Sequence, residues 1–197
     1  MWDNARQMST PAHQVRYTYA EYVLLEKFSN VKHEFWDGQM YAMAGGSLEH
    51  GLIAAAALST LHTQLQDGRC RVIGSDVRVR TASGLATYPD ITIICGPGER
   101  DAEDRLAITN PTVIIEVLSL STEDYDRREK FEHYKTLESF NQYVLISQRE
   151  RLIEIWTRGD DNRWTSAIVR DGEVAELAVG ARLDVRKMYE AAAEPKA

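Results

Sequence analysis

Hydrophobic and polar positions along the chain alternate or recur with helical spacing, and in its first third they predict three elements. Thr18 is followed three residues later by Glu21, which is a capping-box sequence at the start of a helix. The Asp37-Gly38 pair lies between two alternating runs, the strongest short-range signal for a β-hairpin. The predicted elements are a helix over 19–28, a hairpin within 31–44 and a longer helix over 48–66.

The rest of the chain consists mainly of β-like runs. Two alternating, β-branched stretches, 70–80 and 88–95, flank a Ser-Gly turn, so we expect them to be paired strands. Residues 112–118 are apolar apart from one glutamate, which is the pattern of a strand buried on both faces. The charged stretch 123–137 carries apolar side chains at helical spacing and predicts a helix. The remaining predicted elements are strands over 142–147, 152–157, 164–170 and 174–179 and a helix over 183–189.

Together these elements predict an α/β (α+β) fold with a mixed central sheet flanked by helices, an N-terminal hairpin and C-terminal antiparallel strands. A chain of 197 residues with 44% hydrophobic composition can build one sizeable core and is short for two domains. We therefore expect a single domain over 15–190, a flexible N-terminal arm over 1–14 and a frayed tail over 191–197.

Composition bears on the compartment and the partners. No run approaches the roughly eighteen apolar residues of a membrane span, and the N-terminal stretch lacks a secretory signal, so a cytoplasmic protein without a membrane partner is expected. Cys70 and Cys95 lie in apolar runs and are expected to be reduced, buried thiols. The net charge of −7 argues mildly against a broad nucleic-acid-binding face, although a local basic stripe remains compatible with it.

The main chemical signal is a carboxylate inside a strand that should be buried. Glu116 interrupts the apolar run 113–118, and burying an unpaired carboxylate costs several kcal/mol unless a cation, a metal or a proton accompanies it. Asp90 stands in a similar place, immediately before the apolar run 91–94. Two carboxylates on neighbouring strands favour a Mg²⁺ site, because Mg²⁺ takes oxygen ligands. The alternative for either residue is pairing with an arginine or capping of a turn.

Several motifs, taken in order, resemble a known family. Tyr88-Pro89-Asp90 and Glu116, twenty-six positions after the aspartate, resemble the signature of the PD-(D/E)XK nucleases. The full set comprises Phe35 to Met43, His50, Tyr88-Pro89-Asp90, Glu116-Val117-Leu118-Ser119, Asp126-Arg127, Lys130 and Tyr134. Over residues 17–157 this set is similar to the Uma-two family, whose members are described as putative restriction endonucleases. The resemblance implies a restriction-endonuclease-like core and a metal-dependent endonuclease, with DNA as the expected substrate.

The resemblance also implies the roles of individual residues. It assigns the metal, Mg²⁺ or Mn²⁺, to Asp90, Glu116 and the carbonyl of Val117. Leu118 stands where the family spacing would put a lysine on the same strand face as Glu116. Lys130 is the expected substitute, since Asp126, Lys130 and Tyr134 share one side of the predicted helix. The alternative for Lys130 is a solvated surface lysine paired with Asp126.

Three secondary candidates follow. Glu34 could be an additional metal ligand or a charge at the edge of the hairpin. His50 could touch phosphate or hydrogen-bond a site carboxylate, or it could pack or cap its helix. Asp76, on the stretch before Asp90, could face the same cleft.

Two questions about the whole molecule stay open at this point. A nuclease-fold binding or regulatory module that does not cut is the alternative function, favoured by Leu118 at the lysine position and by the acidic balance. A homodimer is also open, because cutting a duplex needs two active sites or two visits. The tryptophan-bearing strands after Leu152 are the expected apolar surface for it.

Overall fold

The computed structural model describes residues 15–194, and every structural statement below concerns that part of the chain. The predicted arm over 1–14 lies outside the described residues, as do residues 195–197 of the predicted tail. Within the tail, Ala191 is the last residue of the C-terminal helix and Ala192 is buried against the core. Across 15–194, no helix has both the length and the apolar character needed to cross a membrane.

The first four elements match the sequence pattern closely. They are α1 (Tyr19–Glu26), β1 (His33–Trp36), β2 (Gln39–Ala42) and α2 (Leu48–Leu65). The Thr18 side chain accepts the N–H of Glu21, whose carboxylate accepts the N–H of Thr18 at 2.7 Å, so the predicted capping box is confirmed. Asp37 and Gly38 have φ values of 45° and 76°, as a tight hairpin turn with left-handed residues requires.

The later elements follow the predicted order but differ from the predicted bounds at several places. They are β3 (Cys70–Gly74), β4 (Arg78–Arg80), β5 (Ala86–Thr87), β6 (Ile91–Cys95), β7 (Ala107–Ile108), β8 (Val113–Leu118), α3 (Glu123–Tyr125), a π-helical segment (Asp126–Lys130), α4 (Phe131–Tyr134), β9 (Gln142–Ser147), β10 (Leu152–Arg158), β11 (Trp164–Arg170), β12 (Val174–Glu176), β13 (Arg182–Asp184) and α5 (Val185–Ala191). The single strand predicted over 70–80 is wrong, because a turn at Ser75 and Asp76 divides it into β3 and β4. The helix predicted over 123–137 ends at Tyr134 and is π-helical over its middle part. The strand predicted over 174–179 ends at Glu176.

Two main sheets organise the fold. The larger has six strands in the order β11-β10-β9-β8-β6-β3, and the smaller has five in the order β2-β1-β5-β4-β7. Strands β8 and β9 are parallel, as are β4 and β7, whereas the other neighbours are antiparallel. The predicted α+β fold, with mixed sheets and flanking helices, is confirmed. The turn at Ser75 passes the chain from one sheet to the other, which positions elements of both sheets around one cleft.

Strand β8 is buried over its whole length. One face, with Ile115 and Val117, packs in a cluster that includes residues of α2 and α5. The opposite face, with Ile114 and Leu118, packs in a cluster that includes residues of α4 and β9. Because side chains alternate along a strand, Glu116 points to the second face, toward the helical stretch that contains α3, the π-helical segment and α4.

Cys70 and Cys95 form a disulfide bond, so the prediction of two reduced thiols was wrong. The two cysteines lie opposite each other in the antiparallel pair of β3 and β6, with Cα atoms 4.0 Å apart. A sequence pattern indicates the two strands but not their register, and the register is what brings the sulfur atoms together. Disulfides are rare in cytosolic proteins, so this bond argues against the expected cytoplasmic location.

The tryptophans of β10 and β11 are partly buried and pack against the chain's own core. The rings of Trp156 and Trp164 lie 5.4 Å and 5.1 Å from the ring of Phe131, measured between centroids. Phe131 belongs to α4, so these contacts attach the helix to the sheet. The two tryptophans therefore do not form the free apolar surface that was expected for a dimer.

Candidate active site

Asp90 and Glu116 meet where β6 and β8 run side by side. Ile91 and Ile115 are register partners, so Asp90 and Glu116 come next to each other across the pair. The backbone N–H of Asp90 donates to Oε2 of Glu116 at 3.1 Å. The N–H of Val117 donates to Oδ2 of Asp90 at 2.8 Å. The two carboxylates singled out in the sequence therefore lie side by side, Asp90 just before β6 and Glu116 within β8.

Lys130 lies among carboxylates in the protein interior. Its Nζ is 2.9 Å from Oε1 of Glu116, 3.2 Å from Oε1 of Glu34 and 3.3 Å from Oδ1 of Asp126. Only 6% of its side chain is exposed. Lys130 does pair with Asp126, as the alternative interpretation proposed, but it is not a solvated surface lysine.

A π-helical segment carries Lys130 to this position. A π-helix closes its hydrogen bonds over five residues instead of four, and such turns often occur at functional sites. The carbonyl of Asp126 in the segment accepts the hydroxyl of Tyr143 at 3.0 Å. One turn further on, the hydroxyl of Tyr134 donates to Oε1 of Glu116 at 2.8 Å. Lys130 and Tyr134 thus contact the same oxygen of Glu116.

Glu34 joins the cluster from the smaller sheet. It is buried on β1, and its Oε1 forms an ion pair with Nζ of Lys130 and accepts a hydrogen bond from Oγ1 of Thr87 on β5. Glu34 is therefore not a solvent-facing charge at the edge of the hairpin. Sequence reasoning missed Thr87, for which the available signal was a hydroxyl side chain just before Tyr88-Pro89-Asp90.

His50 reaches the cluster from the first turn of α2. Ser47 caps this helix by accepting the N–H of His50 at 3.2 Å. Nε2 of His50 lies 3.1 Å from Oδ2 of Asp90. The hydrogen bond with Asp90 raises the pKa of His50, and together with the charges of Asp90 and Glu116 it outweighs the opposing effect of burial. Of the alternatives for this residue, hydrogen bonding to a site carboxylate is the one found.

Asp76 stays outside the cluster. Its side chain is 93% exposed and pairs with Nζ of Lys32 at 2.6 Å. This hydrogen bond lowers the pKa of the carboxyl group. The expectation that Asp76 faces the cleft assumed an unbroken strand, and the turn that contains the residue removes that geometry.

Burial and crowding of like charges set the electrostatics of the cluster. Burial raises the pKa of Glu116 from its ordinary 4.5 to about 8, against the lowering effect of Lys130. Burial also raises the pKa of Asp126. For Lys130, burial lowers the pKa, but the carboxylate of Glu116 and the other negative neighbours more than reverse this, so the pKa is well above its usual value.

The excess of carboxylates fits a divalent cation. Glu34, Asp90, Glu116 and Asp126 surround one lysine and one histidine, so the cluster contains more carboxyl groups than basic groups. No three His, Cys, Asp or Glu side chains within residues 15–194 are arranged as a complete metal-ligand set. Mg²⁺ does not need one, because it commonly binds through one or two carboxylates and keeps several waters.

Comparison with known proteins places the chain in a family. The model of the Uma2 family, described as putative restriction endonuclease, matches residues 19–186. The uncharacterized protein slr1290 of Synechocystis sp. is 33% identical over 86% of this chain and 89% of its own length. A second Synechocystis protein, the uncharacterized sll1609, is 30% identical over 81% of this chain and 90% of its own length.

A solved structure supports the same fold. The crystal structure of a putative nuclease belonging to DUF820 from Anabaena variabilis superposes with a TM-score of 0.72. The superposition covers 88% of this chain and 98% of the other, at 14% sequence identity. Since that identity is low, the likeness is one of fold. The family match itself covers most of the chain, and the chain therefore belongs to the Uma2 family of putative restriction endonucleases.

Proposed function

We propose that this protein is a metal-dependent endonuclease that hydrolyses phosphodiester bonds of nucleic acid, with DNA as the substrate. The observation that carries the proposal is the buried Nζ of Lys130, held 2.9 Å from Glu116 beside Asp90. A cation next to two carboxylates on neighbouring strands is the arrangement that the family's chemistry requires. Membership of a family of putative restriction endonucleases supports the same reaction class.

Asp90, Glu116 and the carbonyl of Val117 would hold Mg²⁺ or Mn²⁺. When bound, such an ion polarises a phosphoryl oxygen and lowers the pKa of a water molecule. The protein's contribution is to fix its oxygen donors in advance. The N–H of Val117 and the imidazole of His50 orient Asp90, while Tyr134 and Lys130 orient Glu116. This preorganisation lowers the reorganisation that the reaction would otherwise need.

Lys130 has an electrostatic role in this proposal. Its ammonium group keeps a fixed positive charge beside Glu116, in a site from which most water is excluded. In such surroundings a fixed charge stabilises negative charge developing on phosphate more strongly than it would in water. Lys130 also orients the attacking water. It would thus take the role of the strand lysine that Leu118 replaces.

One observation favours a non-cleaving binding module as the second candidate. An ammonium group has three N–H donors. Three carboxyl groups, those of Glu34, Glu116 and Asp126, each place an oxygen within 3.3 Å of Nζ of Lys130. In this arrangement the three carboxyl groups compete with water for the ammonium group of Lys130. Cleavage therefore requires that one carboxylate exchange Lys130 for the incoming ion, whereas a binding module has no such requirement.

A homodimer remains a proposal on chemical grounds. Cleavage of both strands of a duplex needs two active sites or two successive visits of one site, and two copies would supply the pair. Because Trp156 and Trp164 pack on Phe131 within the chain, the proposal no longer rests on those tryptophans. Sedimentation equilibrium of the whole chain, with and without duplex DNA, measures the number of copies directly.

A cleavage screen tests the proposed function. Wild-type protein, Asp90→Asn and Asp76→Asn are incubated with plasmid, single-stranded DNA and RNA in Mn²⁺, Mg²⁺ or EDTA. Asp76→Asn is the matched control, because it makes the same substitution at an exposed carboxylate outside the cluster. We expect wild type and Asp76→Asn to cut in the presence of metal and Asp90→Asn to be inactive. Metal-dependent binding of nucleic acid without any cleavage would instead support the binding module.

A further inference from the structure

A small pocket lies where the parallel strands β8 and β9 both end. Leu118 and Ser147, the last residues of the two strands, are register partners and both line it. The pocket has a volume of about 130 Å³. An engineered protein cavity of roughly 150 Å³ holds one benzene ring. The pocket therefore has room for one ring inserted by its edge and not for a whole nucleotide.

Gln148 lines this pocket and has an unused hydrogen-bond donor. Its Oε1 lies 3.4 Å from Oγ of Ser47, the cap of α2. Its Nε2 is buried and has no hydrogen-bond partner among residues 15–194. Burying an amide nitrogen without a partner costs free energy, so such an atom in a pocket indicates a ligand that accepts a hydrogen bond from it.

The charges around the pocket favour a base over a phosphate as this ligand. Glu49 and Glu123 bring carboxylates to the lining, and a carboxylate repels phosphate but accepts hydrogen bonds from an amino group. Arg149 is exposed, and its guanidinium makes no ion pair with another residue of the range 15–194. The lining thus combines acceptors for an amino group with one free cation on its exposed side.

The pocket borders the carboxylate cluster from two elements. Leu118 follows Glu116 by two positions on the same face of β8, a distance of roughly 7 Å along the strand. On α2, Oγ of Ser47 accepts the N–H of His50, and Nε2 of His50 lies 3.1 Å from Oδ2 of Asp90. A base in the pocket would therefore belong to a nucleotide beside the phosphate at the cluster.

We propose that the pocket binds one unpaired adenine base of the substrate strand and that Gln148 recognises it. The inference rests on the proposed function for the substrate class, nucleic acid, and not for cleavage. A glutamine amide pairs with adenine through two hydrogen bonds, since its oxygen accepts from N6 and its nitrogen donates to N7. Oε1 has a second lone pair for N6 beside the one that faces Ser47.

The other bases match this amide less well. On the corresponding edge, guanine presents two acceptors, cytosine one amino group, and thymine an acceptor and a methyl group. Only adenine places an amino group beside an acceptor there. Because the pocket admits a single ring, the base must leave the helical stack or come from a single strand.

Arg149 has a different role from Gln148. An exposed guanidinium beside the pocket binds the phosphate backbone whatever the base is. Arg149→Ala should therefore weaken the binding of all strands by a similar factor, whereas a change at Gln148 should act on one base.

A structural role is the competing explanation for Gln148, because the side chain also faces the cap of α2. Gln148→Glu separates the two roles, since it keeps an oxygen for Ser47 and removes the donor. Its negative charge weakens the binding of every strand, so the informative quantity is the ratio of affinities between adenine and 7-deazaadenine. The analogue lacks N7 and is otherwise close in shape to adenine.

The test is fluorescence anisotropy of short labelled single strands of adenine, 7-deazaadenine, cytosine or thymine deoxynucleotides, measured in Ca²⁺. We expect wild type to bind the adenine strand at least about fivefold more tightly than each of the others, the lower end of what a bidentate amide contact contributes. Gln148→Glu should bind the adenine and 7-deazaadenine strands equally. Gln66→Glu, at the exposed C-terminal cap of α2, is the matched control and should keep the preference.

A second measurement needs no variant and no cleavage. Nuclear magnetic resonance of the whole chain follows the side-chain amide signal of Gln148 during titration with deoxyadenosine monophosphate. The signal should shift with this nucleotide and should stay in place with the 7-deaza analogue.

The outcomes distinguish this inference from the proposed function. Equal affinity of wild type for the adenine and 7-deazaadenine strands would overturn the adenine pocket even if the protein cleaves DNA. A preference that survives Gln148→Glu would overturn the role of Gln148. A preference that Gln148→Glu abolishes, with the matching shift of the amide signal, would support the inference even if no nucleic acid is cut. Absence of both single-strand binding and a shift would overturn it whatever the cleavage screen shows.

Discussion

The carboxyl group of Glu116 binds its proton more tightly in the folded chain than in the unfolded chain. Burial raises its pKa from 4.5 to about 8, so the folded state holds the extra proton between these two values. By linkage, the free energy of unfolding then decreases as the pH rises through that window. Without divalent cations, we expect wild-type stability to fall from pH 5 to pH 8 and Glu116→Gln to show a flatter profile.

Urea unfolding at several pH values between 5 and 8 measures this effect. Asp76→Asn serves as the control, because the pKa of this exposed carboxyl group is lowered and its titration lies below the window. It should keep the wild-type slope. A Glu116→Gln profile as steep as that of wild type would show that another group is responsible for the pH dependence.

Two residues of the candidate site can be predicted from the sequence, because each is a carboxylate in or beside an apolar run. Glu116 was recognisable because a carboxylate does not belong in a strand buried on both faces, and Asp90 because it opens another such run. The role of Lys130 came from the family resemblance, since a lysine in a charged helix has no local signal of burial. Thr87 and the ring position of His50 depend on contacts between distant elements, which no local pattern contains.

At the scale of elements, local rules predicted the starts of helices, the hairpin and the pairing of 70–80 with 88–95, which β3 and β6 confirm, but not the order of the strands in the two sheets. Capping by Thr18 and the Asp37-Gly38 turn depend on neighbours in the chain, and both were confirmed. The division of 70–80 into two strands depends on which sheet each half joins. The π-helical segment was not predicted either. Within it, Asp126 and Lys130 contact residues of other elements, Tyr143 and Glu116. Hydrophobic periodicity does not distinguish it from an α-helix.

The disulfide between β3 and β6 should stabilise the fold. It links residues twenty-five positions apart, and closing a loop of this size in the unfolded chain contributes about 3.5 kcal/mol in the chain-entropy model. Strand β3 is at the edge of the six-stranded sheet, where β6 is its one sheet neighbour among the described strands. We therefore expect a thiol reductant to lower the free energy of unfolding by about this amount.

Urea unfolding with and without reductant provides the measurement. The double variant Cys70→Ala/Cys95→Ala is the control, and its stability should be low and independent of reductant. If reductant leaves wild-type unfolding unchanged while free-thiol titration reports two reduced cysteines, the bond does not contribute to stability.

At the scale of the whole molecule, the net charge of −7 opposes binding to another polyanion. The cluster itself adds to this repulsion with four carboxylates around Lys130 and His50. A bound divalent cation would offset part of the charge where phosphate approaches. We therefore expect nucleic-acid affinity to be at least about tenfold, or ~1.4 kcal/mol, higher with Ca²⁺ than with EDTA.

Fluorescence anisotropy of a labelled oligonucleotide measures this dependence. Asp76→Asn should retain the full effect of Ca²⁺, whereas Asp90→Ala should lose most of it. Equal affinity in Ca²⁺ and EDTA would mean that nucleic acid binds elsewhere on the surface, away from the carboxylates.

The position of Lys130 leads to the most direct test of the nuclease centre. Leu118 lies on the same face of β8 as Glu116, so a lysine introduced there could approach the same carboxylates. The informative set is wild type, Lys130→Met, and Lys130→Met combined with Leu118→Lys. Lys135→Met is the matched control, because Lys135 pairs with the exposed Glu132 on the outer side of the helix.

Single-turnover cleavage of labelled DNA in Mn²⁺, with Mn²⁺ affinity measured in parallel, is the decisive measurement. We expect Lys130→Met to cut about 100-fold more slowly than wild type, because it removes a preorganised charge beside the reacting phosphate. Its Mn²⁺ affinity should remain within about threefold, since lysine is no ligand for such ions. Leu118→Lys should restore part of the rate, and Lys135→Met should match wild type. Cleavage by Lys130→Met at the wild-type rate, in a protein that still binds Mn²⁺, would contradict a nuclease centre built on Asp90, Glu116 and Lys130.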